Sequence, residues 1–286
     1  MRRVLAASLS LMTLTRVDFH RSKALLRRLA ISLCRVALKH TSQPYELRPV
    51  RCVVFAPHQD DETLGCGGLI ARKRNEGLPV DVVFLTDGSA SHPHHPTISP
   101  ADVVAIRHRE AREALAILGV ESSAIHFLNE PDGMLNHLGD DHRAALVQRL
   151  TRLLRHIQPH EIFLPCNPDG STEHDAAFAF IAEAVFSSKL RPAIWQYPVW
   201  SWYNPMLLIE RMIFTSGRCR VPTEDYQLIK TSALACYRSQ THPMPPQLEP
   251  ALPPELVQIF NSEVEYFFRF ELPSTGARFD SSPPIL

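Results

Sequence analysis

From about residue 50 the chain alternates two kinds of hydrophobic pattern. Short, mostly apolar runs occur at residues 52–56, 80–86, 125–128, 162–165 and 194–198. Short runs of this kind suit strands buried on both faces. Helical periodicity lies between them. Ser99, Pro100 and Asp102 read as an N-cap, a first-turn proline and an acid three residues on, followed by Val104, Ala111, Leu115 and Leu118 on one face and Gly119 as a stop. A second stripe, Leu146, Leu150, Leu153 and Ile157, ends at Pro159, and a third, after His174, carries Ala177, Ile181 and Ala184. This order predicts a mostly parallel sheet with helices on both faces, joined by right-handed crossovers. Beyond it, residues 244–254 are proline-rich and predict an irregular segment. Leu256, Phe260, Val264 and Phe267 share a helical face and predict a last helix over residues 256–270, with a loose tail at 273–286.

The start of the chain follows a different pattern. Residues 1–15 have a basic start and a short apolar run, but no small-x-small cleavage pattern closes it and Arg16 follows. No stretch is long and apolar enough to span a bilayer. Residues 23–39 read as a basic amphipathic helix, with Leu26, Leu29, Leu33 and Val36 in one stripe and Arg27, Arg28, Arg35 and Lys39 supplying charge. Such a helix suits an anionic membrane surface, with contact through residues 22–39, or an accessory helix packed on the domain. The resulting organisation is a basic extension at 1–48, a folded domain at 49–272 and a flexible tail at 273–286.

Composition narrows the classes. The 286 residues are 45% hydrophobic and 21% charged, ordinary for a globular protein, and Lys plus Arg balance Asp plus Glu. The lack of a basic excess argues against a nucleic-acid partner. The six cysteines contain no C-x-x-C and several sit in apolar runs. They read as core residues, not as a disulfide framework or a cysteine metal site, and a reducing, cytoplasmic location is expected.

The polar clusters fall just after the predicted strands, where open α/β sheets bind ligands. Residues 52–56 lead to His58, Asp60, Asp61 and Glu62; residues 80–86 to Asp87; the strand at 125 to Asp132; residues 162–165 to Asn167, Asp169, Glu173 and His174. His58 and Asp61, three apart after a strand, suit one metal ion as imidazole and carboxylate donors, and His174 is the best candidate for a third ligand. Asp60 does not easily point the same way as Asp61, so it is expected off the metal as a base. Solvated acids capping a loop are the alternative on spacing alone.

The segment Ala56-Pro57-His58-Gln59-Asp60-Asp61-Glu62-Thr63-Leu64-Gly65-Cys66-Gly67-Gly68 resembles the first motif of the PIG-L/LmbE-like zinc deacetylases. Further pieces follow in that family's order: Leu85-Thr86-Asp87-Gly88, Arg107 and Glu110 ahead of Leu118-Gly119-Val120, Pro131-Asp132-Gly133, Asp169-Gly170-Ser171-Thr172-Glu173-His174, and Lys230, Ala233, Leu234, Tyr237, Ser239 and Gln240. The resemblance spans roughly residues 50–270. It implies a Rossmann-like three-layer α/β sandwich that hydrolyses an N-acetyl group, commonly from an N-acetylglucosamine unit. By position it implies zinc (Zn2+) on His58, Asp61 and His174, Asp60 as the general base, and substrate contact at Arg107 and Asp132. A non-catalytic sugar-binding homologue of the same fold is the alternative.

Two positions depart from the pattern. Ser171 stands where the family often has a histidine that stabilises the oxyanion or protonates the amine, and Glu173 replaces the usual Asp before the ligand histidine. Glu173 is expected to orient a histidine from outside the metal shell. The proton for the leaving amine is then left to Asp60, to His92, His94 or His95, or to no group at all. Asp87 suits bracing its loop as well as touching substrate, and Arg107, on an otherwise apolar helix face, needs a partner or a ligand. The stretch from Ser91 to Pro96 reads as a mobile rim loop, Gly65, Gly67 and Gly68 as packing glycines, and the aromatics at 195–203 as pocket lining or core.

Overall fold

A computed structural model describes residues 25–215 and 217–273. Residues 1–24, with the leader-like run, and most of the expected tail lie outside the described residues. Eight strands form one sheet: β1 (Gln43–Pro44), β2 (Cys52–Ala56), β3 (Val80–Thr86), β4 (Ile125–Glu130), β5 (Glu161–Pro165), β6 (Ala193–Tyr197), β7 (Arg218–Pro222) and β8 (Val264–Phe270). Their order is β1-β7-β8-β6-β5-β2-β3-β4, and every pairing is parallel except those of β8 with β6 and β7.

The short apolar runs form the middle of the sheet, and their alternate residues feed two cores. Cys52, Val54 and Ala56 of β2, with Val80, Val82 and Phe84 of β3, enter one core. Val53, Phe55, Val83 and Leu85 enter the other, against α4 (Asp140–Ile157) and α5 (Thr172–Ser188). The first core packs α2 (Asp61–Asn75), α3 (Pro100–Ile117), α6 (Pro205–Phe214), α7 (Gln227–Leu234) and α9 (Pro254–Phe260); a single turn of helix, α8 (Arg238–Thr241), follows α7. The expected sandwich is therefore present. The start of α3 is a full capping box: Ser99 accepts from the Asp102 amide while Asp102 accepts from the Ser99 amide. The central strands run β4-β3-β2-β5-β6, so the chain reverses direction between β2 and β5 and opens a crevice there.

Two expectations are corrected. Residues 256–270 are not one helix: α9 ends at Phe260 and β8 begins at Val264. Leu256, Phe260, Val264 and Phe267 do fit a helical period, but Tyr266, Phe267 and Phe268 favour a strand, and edge-to-edge pairing with β6 and β7 decides the outcome. The boundary drawn at residue 48 is also not structural. Residues 25–41 form a helix, α1, whose Ile31, Cys34 and Leu38 are buried in the first core, and β1 pairs with β7. The predicted stripe Leu26, Leu29, Leu33 and Val36 faces outward.

Candidate active site

The crevice at the switch point is lined from both of its walls. After β2 the chain turns sharply and enters α2, and after β5 it turns through Gly170 into α5. The first turn is tied to β3: the Thr86 amide and hydroxyl both donate to the Pro57 carbonyl, and the Gln59 side-chain Nε2 donates to the Thr86 carbonyl. Asp60 caps α2 with φ 150°, a conformation that L residues rarely adopt. Its amide donates to Glu62 Oε2, and its carbonyl accepts from Thr63 and Leu64. This backbone sends the neighbouring carboxylates of Asp60 and Asp61 in different directions.

Asp61 points to the two imidazoles. Its Oδ2 lies 3.3 Å from His58 Nδ1 and 3.3 Å from His174 Nε2, and also accepts from the His58 amide. One donor atom from each of the three falls within 4.8 Å of the others. His174 is fully buried and its Nε2 makes no hydrogen bond. Each imidazole is held from behind by a carboxylate: His58 Nε2 lies 3.1 Å from Asp132 Oδ1, and His174 Nδ1 lies 2.8 Å from Asp169 Oδ2. That arrangement fixes the tautomer of a metal-binding histidine.

The electrostatics point the same way. Burial would lower His174, but Asp61 and Asp169 push it up to about 9. Burial also opposes protonation of His58, which Asp132 and Asp61 nonetheless raise well above the ordinary imidazole value. Burial would raise Asp61, yet His174 and His58 hold it far below the usual carboxylate range. An orphaned imidazole nitrogen and a carboxylate equidistant from two rings fit a divalent cation, and imidazole with carboxylate is a donor set zinc accepts. A second group, His58 with Asp132 and Glu173, also converges. There the His58 Nε2 is already engaged by Asp132, so the His58–Asp61–His174 set fits better.

Asp60 stays off this set, buried, with Arg107 Nη2 3.4 Å from its Oδ2. Burial pushes its pKa up to about 7 although Arg107 opposes the rise. Arg107 is itself buried and donates to the Gln59 carbonyl. Its partner is thus Asp60 and not Glu110, which binds the Ser239 amide and hydroxyl. A cleft of about 570 Å³ opens above the cluster, lined by His58, Asp60, Asp61, Arg107, Asp132 and Ser171 among others.

The remaining expected residues divide. Asp132 faces the cleft and accepts from Ala90; burial would raise its pKa, but His58 and Arg107 lower it overall. Asp87 is a brace, accepting from the Ser89 and Asp132 amides. Ser171 caps α5 without a side-chain bond and faces the cleft. Glu173 does not orient His174: its Oε1 accepts from the Leu135 amide and its Oε2 is buried without a partner. The orienting role belongs to Asp169, five residues upstream, because the Asp169–Gly170 turn folds back beneath the first turn of α5. Asp169 also accepts from the Val199, Trp200 and Ser201 amides. Its place in a turn shortly before the histidine was the available signal.

No histidine of the rim loop reaches the cluster. His92 binds Gln247 and the Ser239 carbonyl, and His95 binds the Pro245 carbonyl, so the loop is anchored to the segment after α8. Gln240, Ala251, Leu252 and Trp200 complete the cleft, positions that periodicity alone did not distinguish from core. The α2 glycines do admit close packing. A Cβ on Gly65 would stand 2.2 Å from the Tyr197 ring.

Fold and site together define an α/β protein with a candidate metal centre at the switch point of its sheet, flanked by a base-like carboxylate. Residues 53–185 match the family described as PIG-L, GlcNAc-PI de-N-acetylase. The chain is 27% identical over 192 residues to the uncharacterized deacetylase YaiS of Escherichia coli K12, across 65% of this chain and 90% of that protein. Its fold is that of the N,N'-diacetylchitobiose deacetylase from Pyrococcus horikoshii, with TM-score 0.52, 23% identity and 73% of each chain covered. The 4-carboxy-2-hydroxymuconate hydratase GalB from Pseudomonas putida KT2440 is also similar in fold, with TM-score 0.57, 17% identity, and 80% of this chain and 99% of that chain covered. Among the described residues, no helix is long and apolar enough to cross a membrane.

Proposed function

We propose that the protein is a zinc-dependent hydrolase that removes an N-acetyl group from a substrate containing an amino sugar, cleaving a linear amide C–N bond. The observation that carries this reading is the convergence of His58 Nδ1, Asp61 Oδ2 and His174 Nε2, with the Asp60 carboxylate close by but aimed elsewhere. These three residues would hold the zinc ion, which when bound supplies Lewis acidity, polarising the amide carbonyl and acidifying the attacking water. Asp60 is the general base. Its pKa near 7 lets it take a proton from water and still return one to the departing amine. That second transfer answers the vacancy left by Ser171, since His92 and His95 are committed elsewhere. Arg107 opposes protonation of Asp60 and, with Asp132 and Gln240, offers polar groups to sugar hydroxyls, while Trp200 offers an aromatic face. The volume of the cleft suits one sugar unit with its acyl group.

The test couples metal analysis with acetate release. Zinc-loaded protein is assayed on N-acetylglucosamine, N,N'-diacetylchitobiose and N-acetylglucosaminyl-phosphatidylinositol, beside Asp60→Asn. The expected result is acetate from at least one substrate, with kcat/KM lowered by about 10²–10⁴-fold in Asp60→Asn at unchanged zinc content. Full zinc loading with no acetate from any N-acetyl amino sugar, or turnover indifferent to Asp60→Asn, refutes it. The hydratase GalB makes the first of these outcomes a real alternative.

A further inference from the structure

Helix α1 has two apolar faces. At about 100° per residue, Ile31, Cys34 and Leu38 share one arc, and all three are buried in the core. Leu25, Leu26, Leu29, Leu33 and Val36 share the opposite arc, and they are between 54% and 70% exposed. A helix that needed only to pack on the domain has no use for five large side chains pointing into water. Helix α6 repeats the feature: only Leu208 of its ten residues is buried, and Met206, Ile213 and Phe214 are 61–70% exposed. The two helices are neighbours, since Arg27 of α1 lies over the ring of Tyr203, two residues before α6 begins.

We propose that the outward faces of α1 and α6 form one docking surface for an anionic lipid bilayer. Charge selects this occupant. Residues 19–45 contain six Lys or Arg and no Asp or Glu, in a chain whose charges otherwise cancel. Exposed Arg28 and Lys39 border the outward arc of α1, so apolar side chains would enter the acyl boundary while the cations meet headgroup phosphates. A second copy docked on the same face would bring like charges together. Residues 1–24 are also a poor cover on this count, with Arg2, Arg3, Arg16, Arg21 and Lys23 against the lone acid Asp18. The surface adjoins the cleft: Trp200, just ahead of α6, lines it, and Leu207 of α6 approaches Gly170 at its wall. Docking would thus bring the mouth of the cleft next to the bilayer.

Flotation of the full chain on vesicles tests this without reference to any substrate. The protein is mixed with phosphatidylcholine vesicles, or with vesicles of phosphatidylcholine and phosphatidylglycerol, at low and high salt. The wild type should float with the phosphatidylglycerol vesicles, and less so at high salt. Leu29→Ser with Leu33→Ser should weaken partitioning about tenfold or more, because two apolar side chains no longer leave water. Ile213→Ser with Phe214→Ser, and Arg28→Glu with Lys39→Glu, should each weaken it as well. All four leucine and isoleucine-phenylalanine positions are exposed, so folding, checked by circular dichroism, should persist. The proposal is overturned if the wild type stays at the bottom of the gradient, if it floats equally on pure phosphatidylcholine, or if both apolar double variants float like wild type. It is also overturned if light scattering shows a dimer that Leu29→Ser with Leu33→Ser turns into monomer while vesicle binding is absent.

Discussion

Asp169→Asn is the sharpest test of how the candidate metal centre is held. Asp169 is fully buried, and its Oδ2 accepts from His174 Nδ1 at 2.8 Å, which puts that ring's proton on Nδ1 and leaves Nε2 free for a metal. Asparagine has nearly the same shape but offers one oxygen. The Ser201 amide and hydroxyl bind Oδ1, so the amide oxygen is expected to stay on that side, and the NH2 group then faces His174. The ring would accept from that group through Nδ1 and carry its own proton on Nε2, the wrong tautomer for binding a cation. Loss of such an orienting carboxylate typically costs about 10–100-fold in metal affinity, equivalent to about 1.4–2.7 kcal/mol. The Trp200 amide also donates to Oδ2 and would lose its acceptor, for a further cost of about 1–3 kcal/mol in stability. The assay is a competitive titration with a zinc chelator, beside thermal unfolding of the metal-free protein. His174→Ala serves as the control that abolishes the site. If Asp169→Asn binds zinc within a factor of two of wild type while His174→Ala does not, the tautomer argument is wrong.

Three other perturbations probe separate parts of the argument. Arg107→Gln removes the cation 3.4 Å from Asp60 Oδ2, an interaction of about 5 kcal/mol at an effective dielectric of ~20. Asp60 then holds its proton more tightly, and since the base form exists only above its pKa, the acid limb of kcat/KM should move to higher pH by about one unit or more; an unmoved limb would show that Arg107 does not set the ionisation of Asp60. Gly65→Ala places a methyl group 2.2 Å from the Tyr197 ring and should destabilise by about 1–3 kcal/mol or more in urea unfolding. Tyr197→Leu in that background should return part of the loss, and strict additivity of the two changes would count against direct contact. Lys230→Met strips the cation from buried Glu265, which keeps the Gly68 and Leu69 amides as donors. It should cost about 3–5 kcal/mol, and a change below 1 kcal/mol would mean that those two amides suffice.

The sheet was largely legible because its central strands are buried on both faces. Burial of that kind writes itself as short, mostly apolar runs without alternation, and the runs at 52–56 and 80–86 coincide with β2 and β3. The sequence was misleading where burial is one-sided. In β8 the residues 264–270 satisfy a helical stripe by coincidence, and only the neighbouring strands select the extended form. The same limit applies to α1: an amphipathic stripe shows that one face differs from the other, not which of them meets the core. The convergence of His58, Asp61 and His174 was legible because polar residues just after neighbouring strands of an open sheet meet at one crevice. Asp169 was not assigned its role, because an aspartate between Pro168 and Gly170 serves equally well as a turn residue. Only the coordinates show it reaching forward to the His174 ring.

The fold by itself does not choose the chemistry, since the hydratase GalB shares it with the N,N'-diacetylchitobiose deacetylase. What narrows the choice is how two adjacent carboxylates are made to differ. Asp60 and Asp61 share a sequence context and burial, yet Asp61 is driven far down by two imidazoles while Asp60 is driven up to about 7. The divergence depends on the strained backbone at Asp60, which costs on the order of 1–3 kcal/mol and persists only because its surroundings over-determine it. Glu62 holds the Asp60 amide, Thr63 and Leu64 hold its carbonyl, and Arg107 holds both its carboxylate and the carbonyl before it. Glu62 is in turn fixed by Tyr237, and Tyr237 lies between α7 and α8, so the C-terminal third of the chain helps to maintain the geometry of a turn near its beginning. A carboxylate held apart from its neighbour in this way suits accepting and returning a proton beside a cation, which is the requirement that amide hydrolysis places on this position.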